Sequence, residues 1–132
     1  MTKEQIGKTA LIVEDDISIL KMVVDKLTIE GFTVLQARDG EEGFMVACVK
    51  NPDIILTDIM MPKMDGLSMM KKLRSKNKWG KNVPIILLTN LSPDDEKINK
   101  SVTEDLPTLY IMKPDWDIDD MVAEIKEKLN VV

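Results

Sequence analysis

Two rhythms of apolar residues alternate along this chain. Short unbroken runs recur at 9–15 (TALIVED), 32–37 (FTVLQA), 53–58 (DIILTD), 84–89 (PIILLT) and 108–112 (TLYIM). Runs of this length, bounded by acids, Gly or Pro, predict strands buried on both faces. Between them the apolar positions open to helical spacing: Ile17, Leu20, Val24 and Leu27; then Phe44, Ala47 and Cys48; then Leu67, Met70 and Leu73. The last helix carries Ile118, Met121, Val122, Ile125 and Leu129 on one face. Start and stop signals agree with these spans. Asp16 or Ser18 can cap the first helix, which ends at Gly31, and Asp39 can cap the second, which stops near Asn51-Pro52. Gly66 opens the third, which fades into the Lys-rich RSKNKWGKN. Pro93 lies at the start of a charged, weakly amphipathic helix that runs to about Thr103.

Five strands alternating with five helices, at strand spacings of roughly 20 to 30 residues, predict right-handed crossovers and a parallel α/β sheet covered on both faces. At 132 residues and 14.9 kDa the chain is expected to form one domain, 1–132, with a sizeable core. The opening MTKEQIGKTA has no secretory apolar segment, and no stretch approaches transmembrane length, so no membrane is expected as a partner. One cysteine, Cys48, excludes an internal disulfide and fits a cytoplasmic location.

Charge narrows the chemistry. A net charge of −5 argues against direct binding to naked nucleic acid, which needs a basic surface. There is no histidine, which removes a Ser-His-Asp triad, a His-based zinc site and any phosphohistidine of the chain's own. In an open α/β sheet ligands bind beyond the carboxyl ends of the strands. There the sequence puts Glu14-Asp15-Asp16, Asp58, Thr89-Asn90 and Lys113-Pro114. Converging carboxylates repel unless some take up protons or a cation joins them. A hard divalent ion suits such a set and completes its octahedron with water and phosphate oxygens. A lysine and a hydroxyl suit the other oxygens of a phosphoryl group, and a carboxylate can accept one covalently. Taken alone, Asp58 reads first as a turn or cap residue, and Glu14 and Asp15 more often as charges at a helix start than as ligands.

Four segments in this order, LIVEDD, LTDIMMPKMDG, PIILLTN and YIMKP, with Pro four and Gly eight residues after Asp58, resemble the response regulator receiver domain of two-component signalling. The likeness runs from about Lys8 to Leu129 and is nearest to stand-alone, chemotaxis-type regulators. It implies a flavodoxin-like (βα)5 fold, a doubly wound five-stranded parallel sheet in strand order 2-1-3-4-5. By position, Asp58 matches the phosphoacceptor. Asp15 and Glu14 match the acidic pair that holds Mg²⁺ (or Mn²⁺), with Asp58 and the backbone carbonyl of Met60 as further ligands. Thr89 matches the switch hydroxyl, Tyr110 the aromatic residue coupled to it, and Lys113 the lysine that pairs with the phosphoryl group. The Lys113-Pro114 bond resembles one that is cis in the family. Met60 and Leu91 occupy the two positions that tune dephosphorylation; neither can polarise a water, which predicts slow loss of phosphate.

Two features depart from the family pattern. Asn90 follows the switch Thr where a small residue is common, and Leu106-Pro107 replace the usual turn before the fifth strand. The resemblance implies a histidine kinase or phosphotransfer protein as donor. It also implies output by protein contacts through the face built from the 93–103 helix, the fifth strand and the last helix. The chain is expected to be a monomer or a phosphorylation-dependent dimer with no effector domain after Leu129. It is not expected to be an enzyme beyond catalysing its own phosphorylation and slow dephosphorylation. Other readings stand beside this one: a pseudo-receiver that binds partners without phosphorylation, an aspartyl phosphohydrolase, or a flavodoxin. Met60, where a phosphohydrolase wants a second Asp, and the acids after the first strand, which repel flavin phosphate, weigh against the last two.

Overall fold

A computed structural model describes residues 3–89, 109–112 and 117–131. Five strands, β1 (Thr9–Val13), β2 (Thr33–Ala37), β3 (Ile54–Thr57), β4 (Ile85–Thr89) and β5 (Leu109–Met112), form one sheet. Every pairing is parallel and the order is β2-β1-β3-β4-β5. The described helices are α1 (Ile17–Ile29), α2 (Gly40–Lys50), α3 (Gly66–Lys76), α4 (Lys78–Asn82) and α5 (Ile118–Lys128). None of them is long and apolar enough to cross a membrane. The 93–103 helix expected from sequence lies outside the described residues.

The apolar runs of β1, β3 and β4 are explained by burial on both faces of the sheet, whereas β2, expected to be buried likewise, is an edge strand that leaves Thr33 and Gln36 exposed. Leu11, Val13, Ile55, Ile85 and Leu87 point to one side, where Ala47 of α2 and Leu67, Met69, Met70 and Leu73 of α3 cover them. Ala10, Ile12, Ile54, Leu56, Ile86 and Leu88 point to the other, against Leu20, Val23 and Leu27 of α1 and Met121, Val122 and Ile125 of α5. The predicted stripes hold with one shift: Ile17, at the head of α1, is exposed, and Val23 fills the core instead. The methionine-rich segment divides. Met69 and Met70 are core, Met61 and Met64 are half-buried against it, and Met60 is 65% exposed.

Caps fix where the elements begin. Asp16 accepts from the amides of Ser18 and Ile19, Asp39 from Glu42 and Asp65 from Ser68. Asp16 is thus the cap of α1, rather than Ser18. The strands are shorter than their apolar runs: β1 stops at Val13 and β3 at Thr57, so Glu14, Asp15 and Asp58 lie just past the strand ends. The Lys-rich stretch expected as the fading end of the third helix contains a separate turn, α4, capped by Asn77 through the Gly80 amide. Arg74 locks that corner by donating to the carbonyls of Gly80 (2.9 Å) and Val83 (2.7 Å).

At the far end of α1, Glu30 is buried under two lysines. Its carboxylate lies 3.0 Å from Lys3 Nζ and 3.0 Å from Lys126 Nζ, which ties the N-terminal segment and α5 to α1. The Lys126 hydrogen bond first, and that of Lys3 next, hold the Glu30 carboxyl below its ordinary pKa.

Candidate functional site

Parallel pairing in register brings the ends of β1 and β3 side by side, since Val13 is opposite Thr57. The next residues then meet at the carboxyl edge of the sheet. Glu14 (3% exposed) and Asp58 (9% exposed) are buried there, and Asp15 is half-exposed beside them. One carboxylate oxygen from each of Glu14, Asp15 and Asp58 lies within 4.8 Å of the others. Asp16, next in sequence, is outside this group and serves the helix instead. Cis and trans ligands of an octahedral Mg²⁺ lie roughly 3.0 and 4.2 Å apart, given metal–oxygen distances of about 2.1 Å. Three hard oxygen donors within 4.8 Å therefore fit such an ion with small adjustments or one bridging water.

The backbone around this cluster is tied from several sides. Glu14 N donates to Ala37 O (3.0 Å) and Asp58 N to Val13 O (3.0 Å). Thr57 Oγ1 donates to the Asp58 carbonyl at 2.8 Å, and Ile59 N donates to Asp58 Oδ1 at 2.6 Å. Gly66 N donates to Ile59 O (2.8 Å), closing the loop between β3 and α3. A methyl at Gly66 would overlap the Asp58 carbonyl oxygen, so the close approach requires glycine. A cleft of about 410 Å³ opens beside the acids, lined by Asp15, Met60, Met61, Pro62 and Asp65.

The other predicted residues fall as follows. Met60 lines the cleft with Asp15. Thr89 is the last residue of β4, two past Leu87, which is opposite Thr57, so its backbone reaches the same edge. Tyr110 lies in β5 opposite Leu87. Lys113, Leu91, Asn90 and the Lys113-Pro114 bond lie outside the described residues.

Two contributors were not anticipated. Arg38, at the end of β2, donates through Nη2 to the Asp15 carbonyl at 3.1 Å. Nothing local in the sequence signals this contact, because it joins residues that only the sheet brings together. Asp65, which caps α3 and lines the cleft, was legible as an Asp before a helix-opening Gly.

A doubly wound parallel sheet with an acidic cluster at the carboxyl ends of its central strands places this chain in the class of flavodoxin-like α/β domains. The model of the response regulator receiver domain matches residues 10–126, and the chain belongs to that family of two-component signalling domains. It is 34% identical over 121 residues to the DNA-binding dual master transcriptional regulator RpaA of Synechocystis, covering 90% of this chain and 48% of that protein. The chain thus spans about half the length of this curated relative. Among solved structures it resembles a CheY-like receiver domain protein from Methanospirillum hungatei, with TM-score 0.84 and 28% identity over 93% of this chain and 94% of that one. The chemotaxis response regulator CheY4 of Vibrio cholerae gives TM-score 0.80 and 29% identity, over 91% and 97%.

Proposed function

We propose that this domain is a phosphoacceptor switch whose acceptor is Asp58. The observation that carries the reading is the meeting of Glu14, Asp15 and Asp58 within 4.8 Å at the head of an open cleft. Glu14, Asp15, Asp58 and the Met60 carbonyl would hold Mg²⁺. When bound, that ion offsets the charge of the acids and of the phosphoryl oxygens.

An Asp58 carboxylate oxygen attacks phosphorus in line, an O–P bond forms, and the P–N bond of a donor phosphohistidine breaks, the electron pair staying on the departing nitrogen of an imidazole whose other ring nitrogen is protonated from solvent. The donor is a histidine kinase or phosphotransfer protein, because this chain has no histidine. Lys113 and Thr89 take the new oxygens, following the family motif, and Tyr110 moves with Thr89. Output passes through protein contacts made by β5, α5 and the 93–103 segment. The setting is cytoplasmic, with residues 1–132 acting as one unit. Met60 and Leu91 offer no group to activate water, so the acyl phosphate persists.

Incubation with acetyl phosphate or phosphoramidate, read by intact mass, tests this reading. One phosphoryl group should add in the presence of Mg²⁺, and none to Asp58→Asn. No added mass together with no Mg²⁺ binding would favour a non-phosphorylated interaction module.

A further inference from the structure

Charge is unevenly spread along this chain. Six of its 18 Lys and Arg fall between Gly66 and Pro93, where there is no acid, so the remaining 12 face all 23 acids at a net of −11. One of the six, Arg74, is turned inward on the Gly80 and Val83 carbonyls. The other five, Lys71, Lys72, Lys76, Lys78 and Lys81, are exposed. Among the described residues none of the five pairs with a carboxylate. Lys72 and Lys76 lie over the same Phe44 ring, 4.6 and 5.8 Å from its centroid, which gathers two ammoniums on the seam between α2 and α3.

Helix α3 runs away from the acidic cluster, so its last turn and α4 sit at the amino edge of the sheet. A groove of about 500 Å³ opens there. Pro52, Trp79, Val83 and Pro84 give it apolar walls, and Lys78 and Asn82 are its polar lining toward α4. Asp53, which also borders the groove, accepts from the Thr9 amide at 2.8 Å. The corner is held in place by the Asn77 cap, the two Arg74 hydrogen bonds and the packing of Trp79 on the core. A partner therefore meets a surface that needs little ordering.

We infer that the α3–α4 corner is a docking surface for an acidic, extended segment of another protein. Its carboxylates meet Lys72, Lys76, Lys78 and Lys81, and one apolar side chain enters the groove beside Trp79. Charge complementarity selects the occupant: exposed ammoniums along α3 and α4, with Lys78 at the lip of an apolar slot, suit carboxylates flanking an apolar residue. A long phosphate backbone is disfavoured, because it would run out over a chain that is otherwise at −11. A single tryptophan also provides no row of stacking platforms. The groove and Asp58 lie at opposite ends of β3, about 17 Å apart at 3.3 Å per residue. Docking is therefore independent of phosphorylation and would hold a partner in both states of the switch.

The test titrates the isotopically labelled full chain with a dodecapeptide of Asp and Glu carrying one central Leu, followed by amide shifts. Shifts should cluster at Lys72–Val83 and Asp53, and affinity should fall as NaCl is added. The exposed-surface variant K72E/K76E/K81E should bind about tenfold or more weakly while keeping its circular dichroism and its phosphorylation by acetyl phosphate. Replacing the probe's Leu by Gly should weaken binding severalfold, and Asp58→Asn should leave it unchanged. Absence of binding at millimolar peptide, or equal binding by the triple variant, overturns the inference. So does tighter binding of an oligothymidylate of equal charge, which would assign the surface to nucleic acid. Self-association of the free chain that the triple variant abolishes would assign it instead to a second copy.

Discussion

Replacing Gly66 by Ala should damage the domain in a way that reads out both packing and chemistry. Gly66 opens α3, and its φ is not in the left-handed region, so the constraint is one of space. A β-carbon built there falls on the Asp58 carbonyl oxygen, 3.0 Å from the Asp58 carbonyl carbon and 3.2 Å from Ile59 Cα. All three are backbone atoms, and the oxygen already accepts from Thr57 Oγ1, so nothing flexible can give way. Relieving the overlap requires a backbone shift on the order of 1 Å, given contact distances of about 3.5 Å. Overpacking of this kind costs about 1–3 kcal/mol, and straining the Gly66 N–H to Ile59 O bond costs about 1 more. The better helix propensity of Ala returns up to about 1 kcal/mol. The net loss is about 1–4 kcal/mol, or a fall of about 0.5–2 M in the urea midpoint. Misplacing a reacting group by about 1 Å can cost on the order of 100-fold in rate, so labelling by acetyl phosphate should slow by one to two orders of magnitude. Gly40→Ala is the comparison: its methyl would overlap Met64 O at the far end of the same loop, so it should match the loss of stability with a smaller loss of rate. Gly7→Ala, with φ +78° and open space around it, should cost only about 1 kcal/mol and leave labelling alone. If Gly66→Ala unfolds within about 0.5 kcal/mol of wild type and labels at the same rate, the space argument is wrong.

Two further outcomes follow from other parts of the molecule. Glu30→Gln should destabilise the fold by about 1–2 kcal/mol at neutral pH, since it replaces a buried charged acceptor of two ammoniums. Because the folded pKa of Glu30 is depressed, its contribution is full above its ordinary value of 4.5 and disappears as pH falls through the folded value. The gap between variant and wild type in chemical unfolding should therefore close below about pH 4.5, and a gap that is constant down to strong acid would contradict the assignment. Met60→Asn, at an exposed position of the cleft, should shorten the acyl phosphate lifetime by a factor on the order of ten, below the roughly 100-fold of a true general base. An unchanged lifetime would remove Met60 from the residues that tune the site.

The centre of the sheet was legible because β1, β3 and β4 are buried twice. Two-sided burial leaves an unbroken apolar run such as Ile54-Ile55-Leu56, and nothing else in a short chain needs one. The acids were legible as candidates because parallel strands deliver whatever follows each run to one edge. Their identity as a cluster depended on company, since Asp58 alone resembles any turn residue. Tertiary contacts were not legible. Arg38 reaches Asp15 only because β2 lies beside β1, and its guanidinium sits 23 positions away in sequence. Helix α4 was hidden because KWGKN lacks an apolar stripe; a cap at Asn77 and the Arg74 bridge hold it, rather than periodicity. Ile17 misled for the opposite reason: it fits the spacing of α1 but sits in its first turn, beyond the edge of the sheet that would have covered it.

These ties also say where a phosphoryl group on Asp58 would be felt. It adds roughly −1.5 to −2 charges to an edge that already holds three carboxylates. On the β2-β1-β3 side the backbone is fastened: Arg38 to Asp15, Glu14 to Ala37, Asp58 to Val13 and Gly66 to Ile59. Gly66 and Gly40 leave no slack in the loop that follows. A phosphoryl group acting against that fastened edge would act next on β4 and β5, the neighbouring strands of the sheet, where Thr89 and Tyr110 lie. Weakening that edge, as Arg38→Ala does by freeing the Asp15 carbonyl, should blunt the response at β5 even where Asp58 is fully phosphorylated. Amide shifts at Leu109–Met112 on phosphorylation, smaller in the variant than in wild type at equal labelling, are the measurement that decides it.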